Sequence, residues 1–361
     1  MNNLVNIVKS FLPSEEVKSC KPIGNGHINA TYLVVTDKRR YSLQEINTSI
    51  FKNVEGLMSN IDKVTCHIKA KATLQGADPR RATLNFLPNA VTGKMYTISG
   101  NHAYRLYEFI DDVFTVETME DPKSFYSAGL GFGGFAKELS DFDAGQLVET
   151  IVNFHNTASR YKDFKAAIKF NYNNRAEEVA DEIAFVRSRK AFMSLFVDKL
   201  ESGDLPLRVT HNDTKINNIL FDSKTGAPAA VIDLDTVMPG SYLYDFGDAI
   251  RSGATHAAED EKDLSKVDFD LGLFEQFTKG YLEACGSSLT EEEIKMLPYA
   301  SIMLTLECGM RFLTDHLNGD TYFKVHRENH NLDRARTQFK LVDEMEKHLD
   351  DMAAIIKKHI K

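Results

Sequence analysis

Apolar positions recur along the chain with two different periods, and the change of period divides it. Leu4, Ile7, Val8, Phe11 and Leu12 fall at helical spacing ahead of Pro13, which predicts a short amphipathic helix. Residues 20–50 read as extended chain: a short strand over 20–23, the stretch Gly24-Asn25-Gly26-His27-Ile28-Asn29, then a strand over 30–36. A polar turn of Asp37, Lys38, Arg39 and Arg40 leads into a partner strand over 41–46. Ile50, Val54, Leu57, Met58, Ile61, Val64 and Ile68 then recur every three or four residues, predicting a long helix within 47–75. Residues 83–110 return to strands, with a hairpin KMYTI–SGNH–AYRLYEFI that ends at Asp111-Asp112.

From about 120 onward the period is helical, with helices expected over 122–140, 144–157, 175–200, 271–285, 290–315 and 333–357. One segment interrupts them, 208–245, where LRVTHNDTKINNILFD and AAVIDLDTVMPG flank the turn SKTGAP. The expected architecture is α+β. A small antiparallel β-rich lobe over 1–112 precedes a larger helical lobe over 113–361, joined near 108–115.

Composition narrows the function. The 361 residues carry 43 Lys+Arg against 52 Asp+Glu, a formal charge of −9, which argues against a nucleic-acid or anionic-membrane surface. Hydrophobic residues make up 43%, enough to build a core and exclude wholesale disorder. Cys20, Cys66, Cys285 and Cys308 form no CxxC pair, so a reducing, cytoplasmic setting is expected. The N-terminus lacks the features of a signal peptide, and no stretch approaches the length of a membrane span. No Walker A sequence, G-x-S-x-G elbow or H-E-x-x-H occurs.

The strongest chemical signal is His211-Asn212-Asp213-Thr214-Lys215-Ile216-Asn217-Asn218, an H-x-D-x-x-x-x-N pattern. Asp233 follows in the apolar run AVIDLD. Phosphoryl transfer needs a carboxylate to position and deprotonate an acceptor hydroxyl, and oxygen ligands to hold Mg²⁺ on the phosphates. Asp213 fits the first role, Asn218 and Asp233 the second, and Lys215 is placed to offset charge on the migrating group. The competing account is a polar loop capping two strands.

Other features are weighed the same way. Gly129-Leu130-Gly131-Phe132-Gly133-Gly134 matches G-x-G-x-x-G, but it lies inside a helical pattern and reads as close helix packing. Gly24, Gly26 and Asn29 lie between two antiparallel strands, where such a tip can cover nucleotide phosphates or serve as an ordinary turn. His326 and His330 share a helix face without a third metal ligand, and Glu259-Asp260-Glu261 reads as a solvated helix start. Arg311, alone in the apolar face of TLECGMRFL, wants a buried partner or an acceptor pocket.

The stretches GNGHINATYLV, LYEFI, HNDTKINNILFD and VIDLDTVMPGSYLYDFGD resemble the aminoglycoside phosphotransferase and choline kinase group of small-molecule kinases. LQEINTSIF, RVTHNDTKINNIL, DLDTVMPGS, EDEKDLSKV and ECGMRFL extend the likeness to the N-acetylhexosamine 1-kinases over nearly the whole chain. The resemblance implies a protein-kinase-like bilobal fold, with MgATP between the lobes and phosphorylation of a sugar's anomeric hydroxyl. It implies Asp213 as base, Asn218 and Asp233 as Mg²⁺ ligands, and Gly24, Gly26 and Asn29 over the phosphates. Glu108 and Ile110 fall where backbone would bond adenine, and Asp245 matches an acid that braces the catalytic loop. Arg311, His27 and Asp235 are candidates for the sugar. Tyr244, Phe246 and Tyr322 cannot be told from core. Gln44 stands where a phosphate-binding Lys or Arg is usual, and it can donate a hydrogen bond but no charge. Kinases of choline, amino alcohols or aminoglycosides remain alternatives, as does a nucleotide-binding pseudokinase. A monomer is expected, though the oligomeric state stays open.

Overall fold

The computed structural model describes residues 2–23, 29–116 and 121–360. The stretch containing Gly24, Gly26 and His27 lies outside the described residues. The chain divides into two compact units. The first takes Met1–Phe114, Gly145–Ile151 and Leu220–Met238, and the second Thr115–Ala144, Val152–Ile219 and Pro239–Lys361.

The first unit holds α1 (Asn2–Phe11), β1 (Val17–Pro22), β2 (Ala30–Thr36), β3 (Arg40–Ile46), α2 (Val54–Leu74), α3 (Pro79–Ala82), β4 (Thr97–Ser99), β5 (His102–Glu108) and β6 (Val113–Phe114). Five strands form an antiparallel sheet in the order β1-β2-β3-β5-β4. Alternation along each strand gives it two faces, one of them apolar. Val34, Tyr41, Leu43, Tyr104 and Leu106 meet Ile7, Val8 and Phe11 of α1, the helix read from the first twelve residues. Gln44 and Arg105 occupy the opposite face, where Met58 of α2 approaches Arg105.

The second unit holds α4 (Pro122–Glu138), α5 (Thr157–Phe170), α6 (Arg175–Glu178), α7 (Ala180–Ser188), α8 (Leu195–Ser202) and β7 (Arg208–Thr210). After β8 (Ile219–Asp222), β9 (Pro228–Val231) and β10 (Met238–Gly240) come α9 (Tyr242–Gly253), α10 (Leu271–Cys285), α11 (Glu291–Leu317), α12 (His330–Lys347) and α13 (Leu349–His359). The glycine run of α4 is a packing surface, as expected. A Cβ on Gly129 would lie 2.3 Å from the Phe277 carbonyl oxygen, and one on Gly133 2.7 Å from that of Tyr281. Gly280 of α10 answers them, its Cβ position 2.2 Å from the Tyr126 oxygen.

Several expected helices differ. No helix spans 144–157: a 3-10 turn at Ala144–Gln146 gives way to loop, and α5 begins only at Thr157. The buried Asn60 amide accepts from the Val148 N–H and donates to the Val148 and Val237 carbonyls. It takes backbone groups that a helix would need for itself. Asn153 then turns left-handed at φ 57°, and the Asn156 side chain caps α5 through Ser159 N–H. The expected helix over 175–200 is three short ones, broken at Val179 and near Arg189. The one over 333–357 splits at His348. Glu259 to Asp263 start no α-helix. Glu259 pairs with Arg251, while Asp260 accepts from Arg327 and His330. No helix among the described residues is long and apolar enough to cross a membrane.

The α4 glycines yield a contrast. Gly129→Ala should lower stability by about 1–3 kcal/mol through overpacking, against alanine's better helix propensity. Gly134→Ala, with no atom within 4 Å of its Cβ position, should be neutral or stabilising by up to about 1 kcal/mol. Urea unfolding of the two variants reads the difference.

Candidate active site

The catalytic-loop candidate leaves β7 at Thr210 and enters β8 at Ile219, with a 3-10 turn at Ile216–Asn218. Within it Asn212 is left-handed, at φ 65°. Such a path exposes buried amides that need acceptors. The Asp245 carboxylate supplies two, accepting from His211 N–H at 2.9 Å and Asn212 N–H at 2.7 Å. Asp248, one turn on in α9, accepts from Thr214 N–H at 2.9 Å, and the Thr214 hydroxyl donates to the Asp245 carbonyl at 2.6 Å. Burial pushes the Asp245 carboxyl up, and the His211 ring and two N–H donors pull back. Its expected bracing position therefore has a concrete form. Arg251 pairs with Asp248, completing a buried support that the sequence did not single out.

His211 is fully buried, its ring edge-on to Phe132 and Phe135 at 5.9 and 5.8 Å between centroids. Its Nδ1 accepts from Asp213 N–H at 3.3 Å. The histidine shapes the loop and Asp213 faces outward, 28% exposed. The structure brings three of the expected residues together here. Lys215 Nζ lies 3.1 Å from Asp213 Oδ1. Asn218 Nδ2 donates to Asp213 Oδ2 at 3.1 Å and to its carbonyl at 2.8 Å. The negative charge of Asp213 holds the Lys215 ammonium above its ordinary pKa, against the effect of burial. The Asn218 amide nitrogen is committed, and no donor among the described residues takes its Oδ1. That leaves a neutral oxygen of the kind Mg²⁺ accepts.

A second group forms in the first unit. Gln44 Nε2 donates to Thr31 Oγ1 at 3.1 Å, and Gln44 Oε1 accepts from Arg105 Nε at 2.9 Å. Arg105 Nη1 donates to Asp235, and Asn29 Nδ2 donates to the other Asp235 oxygen at 2.5 Å. Asp235, expected near a sugar, is 3% exposed with both oxygens engaged inside this unit. Asp233 is exposed and left-handed, at φ 58° and ψ 57°. Arg105 escaped the sequence reading; its signal was a lone arginine in the apolar strand AYRLY.

Glu108 holds Arg39 and Arg80 with its carboxylate, and its N–H donates to the Asn85 carbonyl. The Ile110 N–H takes no protein acceptor among the described residues, which suits a base edge.

Arg311 lines a cavity of about 500 Å³ in the second unit with Arg160, Asp163, Tyr322 and Phe323. It lies over the Phe154 and Phe323 rings, each 5.5 Å away, with no ion pair among the described residues. Burial and the Arg311 charge lower the Arg160 pKa. Asp315, also in the wall, is saturated by the N–H groups of Thr321, Tyr322 and Phe323 and by Asn331. From Phe154 the contacts continue to His155, whose Nε2 lies 3.3 Å from the Asn212 carbonyl oxygen, next to Asp213. Tyr322 is 66% exposed, so it is cavity wall and not core. Tyr244 and Phe246 are buried. His330 is engaged by Asp260 and by His326 N–H.

The model of the phosphotransferase enzyme family, APH, matches residues 19–275. An aminoglycoside phosphotransferase from Alicyclobacillus acidocaldarius subsp. acidocaldarius DSM 446 shares 12% identity, with 98% of this chain and 96% of that one covered at a TM-score of 0.63. A microcompartment-associated aminopropanol kinase shares 16%, with 97% and 98% covered and a TM-score of 0.56. An ADP-bound aminoglycoside phosphotransferase, APH(2'')-Ib, shares 13%, with 94% and 98% covered and a TM-score of 0.52. These likenesses show the fold: α+β and protein-kinase-like, with a small antiparallel sheet in the N-terminal region and a helical C-terminal part.

Removing the Asp245 acceptor should loosen the loop. Asp245→Ala leaves two buried N–H groups without a partner, an expected loss of about 2–6 kcal/mol at roughly 1–3 kcal/mol per group. Urea unfolding measures it, and a variant as stable as the parent contradicts the bracing role.

Proposed function

Because the chain belongs to the phosphotransferase enzyme family, we propose that it uses ATP to phosphorylate the anomeric hydroxyl of an N-acetylhexosamine, giving the sugar 1-phosphate and ADP. The observation that carries the reading is the Asp213 cluster. Asn218 and Lys215 grip opposite carboxylate oxygens, so the group has a fixed aim. Asp213 accepts the proton of the sugar O1 as that oxygen attacks the γ-phosphorus, and the bond from phosphorus to the ADP oxygen breaks. An anomeric hydroxyl is more acidic than an ordinary alcohol, so positioning matters more than base strength in the loose transition state. Lys215 offsets charge gathering on the transferred group. Asn218 Oδ1 and the Asp233 carboxylate are the groups that would hold Mg²⁺, which neutralises phosphate charge when bound. Asn29 and Gln44 belong to the nucleotide side through the hydrogen bonds that order β2 and β3. The Ile110 N–H, without a protein acceptor among the described residues and close to the strand end at Glu108, is the proposed adenine contact.

The cavity favours a neutral acceptor. Choline, amino alcohols and aminoglycosides are cations and want aromatic or acidic surroundings. Here Arg160 and Arg311 present two guanidiniums against the single carboxylate of Asp163, and Asp315 is already saturated. Guanidinium forks suit hydroxyls and an acetamide carbonyl, and Tyr322 and Phe323 offer ring faces to a pyranose. Arg311 is therefore the proposed sugar contact. His27 remains a second candidate on sequence grounds.

Coupled ADP release over a panel of free sugars, with phosphorus NMR of the product, tests the reaction. ADP formation that depends on an N-acetylhexosamine, with phosphate on C1, is expected. A C6-phosphate overturns the site of transfer, and ADP release only with amino alcohols overturns the acceptor. Asp213→Asn should lower kcat by about 10²–10⁴-fold while ADP binding, read by calorimetry, persists. Arg311→Ala should raise the sugar KM by roughly 10–100-fold, the loss of one or two charge-assisted hydrogen bonds, and leave the ATP KM near its parent value.

A further inference from the structure

Arg105 and Asp235 are the charged side chains buried in the first unit among the described residues, and they pair with each other. A buried ion pair of this kind contributes little net stability, because desolvation offsets attraction, so its presence asks for another reason. Its surroundings supply one. Thr31, Gln44 and Arg105 stand in register on β2, β3 and β5, and each bonds the next across the sheet. Asp235 then receives Arg105 on one oxygen and Asn29 on the other. Asn29 closes the circuit by accepting from Asn47 N–H, just past the end of β3, at 2.9 Å. Each member bonds at least one other in the circuit, and what it holds from outside the sheet is the turn at Leu234–Thr236.

That turn begins at Asp233. A non-glycine residue at φ 58° is held against the ordinary backbone preference, and such a conformation persists only where its surroundings over-determine it. The anchor two residues on is the Asp235 carboxylate. The acids of α2 do not take part: Glu55 is turned to Lys94 and Tyr96, and Asp62 lies beside Cys66. Toward the Arg105 guanidinium α2 presents the Met58 sulfur. Gln44 fits the same logic. A cation at that position would face Arg105 directly across the strands, whereas glutamine accepts from it.

We propose that Arg105 is a positioning residue for the metal–nucleotide complex. Braced by Gln44 and bonded to Asp235, it fixes the left-handed Asp233 turn and so sets the aim of the Asp233 carboxylate. The inference rests on the kinase reading above, and the experiment separates the two.

ADP binding is measured by calorimetry with and without Mg²⁺, without sugar, for the full chain and for Arg105→Met/Asp235→Leu. That double variant replaces the pair by apolar groups, so stability should survive. Stability is checked by urea. The expected result is a folded protein whose metal-free ADP affinity matches the parent, while the strengthening by Mg²⁺ falls about 10-fold, as when a metal ligand loses its support. Arg105→Lys, which keeps the charge but not the fork to Gln44, should recover part of that strengthening. A folded double variant with the parent's Mg²⁺ dependence overturns the proposal and leaves the kinase reading standing. If the double variant does not fold, Asp235→Asn is decisive in the same assay: parent-like Mg²⁺ dependence overturns the proposal, and a selective loss supports it. A parent protein whose ADP binding ignores Mg²⁺ overturns both.

Discussion

One carboxylate, Asp245, sets the terms for the helical unit. A loop that is to present Asp213 outward must turn left-handed at Asn212, and that turn strands amide groups in a place water does not reach. Asp245 accepts two of them and Asp248 a third, both from α9. The placement of α9 is therefore inseparable from the chemistry of the loop. The fold meets this demand with close packing. Gly247 lets α9 approach α11, its Cβ position 2.4 Å from the Ala300 oxygen, and Phe246 fills the space among Phe274, Phe277 and Tyr281. A precise polar site sits on a helix whose other sides leave it nowhere to move.

Charge is handled locally. The chain is acidic overall, yet the cavity in the helical unit is lined by Arg160 and Arg311, and Asp213 stands beside Lys215. Net charge governs the long-range field and solubility, whereas recognition is decided within a few ångströms, where individual groups dominate. The same separation applies in the first unit, where one arginine and one aspartate are the charged residues buried among the described residues.

The sequence revealed the parts of this structure that are local. The five-stranded sheet, α1, α2 and the long α11 follow from apolar period. The H-x-D-x-x-x-x-N pattern showed Asp213, Lys215 and Asn218 as neighbours because a single loop carries all three. Long-range polar bonds were not legible. Asn60 prevents a helix at 144–157 through Val148, 88 positions away, and nothing in the local pattern announces that. Arg105 reaches Asp235 across 130 positions, so a strand arginine and an acid in another segment looked unrelated. Asp235 looked like a sugar ligand because it is close in sequence to Asp233; its side chain is turned inward. Tyr322 could not be told from core residues because exposure depends on the cavity around it.

The left-handed residues Asn212 and Asp233 also shape which neighbours in sequence space the protein can reach. Asparagine, aspartate and glycine tolerate that conformation, whereas a β-branched or bulky side chain does not. Single-nucleotide drift at either codon mostly leads to residues the backbone refuses, whatever their effect on chemistry. These positions would stay fixed in a diverging lineage even after its substrate had changed, so their persistence records the path of the main chain and not the identity of the acceptor.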